Sequence, residues 1–320
     1  MKKYHFLLSF LVLLGFQSCD HTDAYFGGSS GPILNPDTYT RLADIVKFNN
    51  VPTDALTFDP SVDSDLTAAF GTSFHIPANA VAGENLPEEL IIEIREYPTL
   101  QKMAMSNVQT MSNQDMLVTG GNFFWRIIDS EGTEYQLNTP STVTATQAVV
   151  LNMGTYATQA KYYKGAEVTQ NGKDVINWTL MAENQSGMGA NNVFNYVGLE
   201  TGWANVDALY NYTAGERTQF TATLETSATL QDSEQMVLLI VRDFPSVMNL
   251  TTRTGNSFST YNNSIPMGLN GTLIGVALDS GNNLHIGSTV ISVEGDDTFS
   301  IDLTEGSIAQ LQHLINQASN

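Results

Sequence analysis

The residues that could do chemistry are few and far apart. The chain of 320 residues holds five histidines and one cysteine. His21, His75, His285 and His313 show no pair at metal-ligand spacing and no His-Glu-x-x-His frame, so neither a metal nor any other cofactor is expected. Asp59, Asp63 and Asp65 share one polar loop and carry the hard oxygens that Ca2+ prefers. That loop lacks the glycine and the bidentate glutamate of an EF-hand, and a solvated acidic loop is the expectation. No Gly-x-Ser-x-Gly or Ser-x-x-Lys sits in a setting that would activate a serine, so no catalytic residue is assigned. With 33 acidic residues, a glycosidase-type pair stays open, because such a pair is defined by separation in space. The aromatics say more. Trp203, Tyr210 and Tyr212 fall close together after Gly202, and aromatic rings stack on the apolar faces of sugars. They are the candidate glycan-binding residues, weighed against a core role for Trp203 and sheet-edge roles for the tyrosines. Thr119-Gly120-Gly121 is read as a bulge or tight turn and not as a phosphate loop.

Cys19 stands apart. Lys2 and Lys3 precede an apolar run from Phe6 to Phe16, then Gln17-Ser18-Cys19, which is the three-part layout of an export signal. The run is shorter than the ~20 residues that span a bilayer. A solitary cysteine there resembles the lipobox of bacterial lipoproteins, and Phe16-Gln17-Ser18 is similar to the relaxed form found in Bacteroidota. The resemblance implies removal of a signal peptide (1–18), acylation at Cys19, and an outer-membrane lipoprotein facing the periplasm or the cell surface. Acyl chains contribute about 0.8 kcal/mol per buried CH2, enough in pairs to anchor a domain. Residues 19–39, rich in Gly, Ser, Asp and Pro, read as a flexible tether.

Thirteen basic residues against 33 acidic ones give a net charge of −20. Phosphate backbones and anionic headgroups are repelled, so nucleic acid is not an expected partner, and membrane contact should come from the lipid. Without Cys19 the chain has no thiol, so packing must supply its stability.

The elements that would position these residues are strands. Leu90, Ile92 and Ile94 alternate with polar or opposite-facing neighbours, as do Phe123, Trp125 and Ile127. Asp129-Ser130-Glu131-Gly132 marks a hairpin turn. Phe220-Ala222-Leu224, Met236 to Val241, Leu273 to Leu278 and Phe299-Ile301-Leu303 continue the signal. Ile308, Leu311, Leu314 and Ile315 recur at helical spacing, with Thr304 as the candidate cap. The expected fold is all-β: a sandwich over residues 40–150, a connection over 151–176, and a second sandwich with a short C-terminal helix over 177–320.

Ile94-Arg95-Glu96, Met105-Ser106-Asn107, Thr119-Gly120-Gly121 and Ile76-Pro77-Ala78-Asn79-Ala80 resemble a pattern of uncharacterised Bacteroidota surface proteins. It is distantly similar to the β-sandwich interaction module of ankyrins and netrin receptors. Gly202 to Asp207 and Ile265 to Gly268 look like the companion domain, with Val206 where that pattern has cysteine. The resemblance implies a non-enzymatic interaction, adhesion or assembly module with an envelope protein or glycan as partner. The alternative is a surface hydrolase acting on polysaccharide or peptide. A third reading, a carrier of soluble ligand, requires a deep apolar pocket between the domains.

Overall fold

The computed structural model describes residues 39–47, 50–170, 173–182, 185–212 and 216–320. The expected signal peptide, Cys19 and all but the last residue of the tether lie outside them. No described helix is long and apolar enough to cross a membrane.

The fold is all-β with a short C-terminal helix. Leu90, Ile92 and Ile94 are buried along the strand Leu90–Tyr97, and Phe123, Trp125 and Ile127 along Asp115–Ile128. The two strands pair antiparallel, with Ile94 opposite Trp125. They belong to a sheet ordered Asp54–Phe58, Leu90–Tyr97, Asp115–Ile128, Gly202–Leu209, Lys161–Gln170, Lys173–Leu180. A second sheet runs Gly187–Met188, Val193–Val197, Thr144–Ala148, Ser73–Ile76, Ser64–Thr67. An aromatic core joins the two: Phe74 meets Trp125 at 5.1 Å between ring centres, and Phe123 meets Tyr196 edge-on at 5.5 Å.

A second pair of sheets follows. One runs Thr252–Thr254, Ser257–Ser259, Phe220–Glu225, Asp297–Asp302, its last pair parallel. The other runs Val247–Asn249, Leu230–Val241, Asn270–Asp279, Leu284–Ser292, Thr304–Glu305. Phe220, Leu224, Val237, Leu239, Leu273 and Ile301 fill the space between them.

Three expectations are corrected. Residues 151–176 are not a connection: Lys161–Gln170 and Lys173–Leu180 form a hairpin that pairs with Gly202–Leu209 inside the first sandwich. The change from one sandwich to the next falls instead between Leu209 and Arg217. Gly165, inside the strand Lys161–Gln170, is needed there. A Cβ there would lie 2.7 Å from Trp178 and Trp203, so glycine is what lets the two indoles close over the strand. Thr304 does not cap the final helix, since it lies in a strand beside Ile286. The helix, α2 (Ile308–Ala318), is capped by Ser307, which with Gln310 forms a reciprocal capping box.

A third core lies between the sandwiches. The apolar runs Met236 to Val241 and Leu273 to Leu278, within the strands Leu230–Val241 and Asn270–Asp279, are continuous because both faces are covered there. Val237, Leu239 and Leu273 point into the second sandwich; Met236, Leu238, Ile240, Ile274, Val276 and Leu278 point the other way. That other face meets Tyr97, Tyr163, Trp178 and Trp203 of the first sandwich. A short helix with no signal in the sequence reading, α1 (Leu100–Met105, capped by Thr99), is wedged between and buries Leu100 and Met103. Leu311 and Ile315 of α2 enter the same core. Hydrogen bonds stitch the joint: the Thr110 amide donates to the Val247 carbonyl at 2.7 Å, and the Thr119 amide to the Pro245 carbonyl at 2.9 Å.

Candidate functional site

The three aromatic candidates part company. Trp203 is 5% exposed in the shared core, edge-on to Trp178 at 6.3 Å and tilted against Tyr97 at 5.3 Å. Its place on Gly202–Leu209, facing the second sandwich, withdraws it from any ligand. Tyr212 is a strut. Its hydroxyl donates to the Ser264 carbonyl at 2.7 Å and accepts the Met116 amide at 3.1 Å, and the Arg217 guanidinium lies 3.5 Å from its ring centre.

Tyr210 remains, in company the sequence did not reveal. Its ring stacks on Phe244 at 4.5 Å and on Tyr156 at 5.7 Å, making a column of three partly exposed rings. Three separate loops build it: the short 3-10 turn Gly154–Gln159, the end of the first sandwich, and the bend after Val241. Polar groups surround the column. Asn211 donates to the Gln159 side chain at 3.3 Å, and Asp243 accepts from the Asn270 amide at 2.8 Å. Burial first, then the neighbouring Tyr156, Asp243 and Glu216, hold the Tyr210 hydroxyl above its usual pKa. Apolar ring surface beside amides and carboxylates is the arrangement that can take a sugar ring and its hydroxyls.

The Asp59, Asp63 and Asp65 side chains do not converge. Asp59 accepts from Ser61, Asp63 from the Ala78 amide, and Asp65 pairs with His75 at 2.8 Å. His285 bonds Asp279 at 3.1 Å, and His313 is carried by α2. No cluster of three metal-ligating side chains occurs among the described residues.

A buried polar patch sits where the two sandwiches meet. Thr119-Gly120-Gly121 is a bulge within Asp115–Ile128, with Gly121 at φ 118°, and the pairing opposite shifts between Asn205 and Asp207. Thr119, Asn122, Asn205 and Asp207 are all fully buried. The Thr119 hydroxyl donates to the Asn205 carbonyl oxygen at 3.2 Å, and the Asn205 amide to Asp207 Oδ2 at 2.6 Å. Asp207 Oδ1 and both polar atoms of Asn122 find no partner among the described residues. Burial holds the Asp207 carboxyl well above the usual range, and contact with the Thr119 hydroxyl opposes this only in part.

A cleft of about 500 Å3 opens between the segment 39–47 and the two sandwiches. The Leu42 amide, bonded to the Glu234 carboxylate, ties that segment down. Leu42, Val46, Met236, Leu250 and Phe258 give the cleft apolar walls. Two further residues lining it, Gln235 and Asn249, are buried, and the side-chain oxygen of each lacks a partner among the described residues. An unmet acceptor of this kind costs roughly 1–3 kcal/mol. No sequence motif signals this cleft, because its residues come from six separate stretches of chain.

No family model matches the chain, and no curated protein matches it. Among solved structures, one described as the Bacillus anthracis TIE protein aligns at 11% identity and a TM-score of 0.20, over 70% of this chain and 42% of that one. The chain spans less than half the length of that protein.

The raised Asp207 pKa fixes a sign. The folded state keeps a proton that the unfolded chain loses near pH 3.8, so this group's contribution is complete below that pH and is lost as pH rises toward the folded value. Asp207→Asn should therefore flatten the fall of stability with pH, gaining on the native chain as pH rises from 4 to 8. Urea unfolding at pH 4 and pH 8 checks this; an equal deficit of the variant at both would show an ionised, paired carboxylate.

Proposed function

We propose that the chain is an outer-membrane lipoprotein held through acyl chains on Cys19, facing the periplasm or the cell surface. Its rigid β body serves as a non-enzymatic interaction, adhesion or assembly module, and its contact surface for glycan is the column of Tyr156, Tyr210 and Phe244. The column carries this reading. Three partly exposed rings stand in register beside Asn211, Asp243 and Glu216, at a joint stiffened from both sides. Rigid aromatics give contact area at low entropic cost, and the amides and carboxylates can meet hydroxyls. The net charge of −20 favours a neutral polymer over an acidic one.

Affinity electrophoresis of the chain through gels loaded with dextran, mannan, xylan or laminarin tests the surface. At least one polymer should retard it. Tyr156→Ala should weaken the retardation roughly 2- to 10-fold, the equivalent of about 0.5–1.5 kcal/mol for one ring. Unaltered migration in all four gels would exclude the column as a neutral-glycan site. The anchor is tested separately: Cys19→Ser should move the protein from the membrane pellet to the soluble fraction of cells, and retention in the pellet would refute acylation as the tether.

A further inference from the structure

We propose that Tyr156 and Tyr210 form a modification site, at which oxidation joins the two rings by a carbon–carbon bond into an intramolecular dityrosine. The proposal rests on the geometry of this ring pair and not on glycan binding, so either stands if the other fails.

Contact, access and rigidity together set this pair apart from the other described tyrosines. The rings lie 5.7 Å apart between centres with 23° between their planes. Ring atoms in contact are about 3.5–4.0 Å apart, so centres this far apart mean that the rings are slipped and meet edge over edge. The Tyr156 phenol is, after burial, the second influence that raises the Tyr210 pKa, so the two phenols feel one another across the stack. Both rings are partly exposed, and an oxidant in solution can reach them. Tyr162 and Tyr196 touch as well, at 5.3 Å, but both are buried. Tyr212 meets Tyr210 only edge-on, at 74°, and its hydroxyl is held by the Ser264 carbonyl and the Met116 amide. The supports of the pair are fixed. The Tyr210 amide donates to the Met116 carbonyl at 3.0 Å, the Tyr156 amide to the Met153 carbonyl at 3.1 Å, and Phe244 stacks on Tyr210 at 4.5 Å. Asn211 and Gln159, bonded at 3.3 Å, tie the two segments together beside the rings.

The oxidant is a haem peroxidase with hydrogen peroxide. Each ring gives up one electron and its phenolic proton, and the unpaired spin spreads from the oxygen to the ring carbons beside it. One such carbon of each ring forms the new bond. The hydrogen on each joined carbon then moves to its oxygen as the ring regains aromaticity. The chain loses two hydrogens in all, and one peroxide is reduced to two waters. The described residues include no cysteine, so the fold has no thiol there from which to make a covalent staple. A bond between Tyr156 and Tyr210 closes a loop that contains the strands Lys161–Gln170, Lys173–Leu180, Val193–Val197 and Gly202–Leu209. Closing a long loop restricts the unfolded chain and so stabilises the folded one.

The full chain, dilute enough that encounters between molecules are rare, is treated with a plant haem peroxidase and hydrogen peroxide. The monomer band should gain the blue fluorescence of dityrosine and lose two hydrogens in mass. Digestion should release one cross-linked peptide pair that holds Tyr156 and Tyr210, and the melting temperature of the treated monomer should rise. Tyr156→Phe and Tyr210→Phe remove a hydroxyl and keep the rings, and each should abolish the fluorescence of the monomer while the untreated variants melt as the native chain does. Tyr135→Phe, at a partly exposed tyrosine elsewhere in the fold, should leave the signal unchanged. The proposal is overturned by a monomer without dityrosine, by a bond that maps to another pair, or by a Tyr156→Phe chain that is cross-linked as before.

Discussion

Two strand segments with both faces buried, Met236 to Val241 and Gly271 to Leu278, hold this molecule together. Leu230–Val241 and Asn270–Asp279 send alternate side chains into the second sandwich and into the space shared with the first. Each large aliphatic side chain removed from water contributes about 1.5–3 kcal/mol, so the six residues facing the joint contribute on the order of 10 kcal/mol to holding the sandwiches together. A single solvated face would have left two modules on a hinge. Covering the second face makes the joint a core.

The local features follow from that constraint. On the face of the first sandwich that enters the joint, Gly165 yields its side-chain space to its cross-strand neighbours Trp178 and Trp203. Because strands cannot fill the angle between the sandwiches, α1 and α2 plug it with Leu100, Met103, Leu311 and Ile315. Polar residues caught in the joint are resolved unevenly. Thr110 pairs with Ser246 at 2.8 Å, whereas Asn122 and Asp207 keep atoms unpaired among the described residues and burial raises the Asp207 pKa. The aromatic column and the cleft both lie at edges of the same joint, where loops from different sandwiches are held at fixed separation. Binding surfaces on rigid supports lose little entropy when a ligand arrives.

The strands were legible because their signal is local. Leu90-Ile92-Ile94 and Phe123-Trp125-Ile127 needed nothing beyond the alternation of one buried face. The joint was not, since an unbroken run such as Met236 to Val241 does not say what covers its second face. Nor was Lys161–Gln170, where Gly165 imitates a break and the outward residues are polar. Of the aromatic candidates, Tyr210 and Tyr212 do meet edge-on at 5.1 Å, but Trp203 belongs to the core and Tyr212 is spent as a strut. Phe244 and Tyr156, which complete the column, lie far away in sequence and carry no motif. The buried carboxamide oxygens of Gln235 and Asn249, unpaired among the described residues, carry no sequence signal either: only a three-dimensional network decides which end of a carboxamide is left over.

The central claim is that the sandwiches share a core and unfold as one. Scanning calorimetry of the chain, native and with Ile274→Ala in the shared core, tests it most directly. A single transition is expected, with calorimetric and van't Hoff enthalpies in agreement, and the substitution should shift the whole transition downward. Two resolved transitions, or a substitution that displaces only part of the heat absorbed, would show two independent modules and contradict the account.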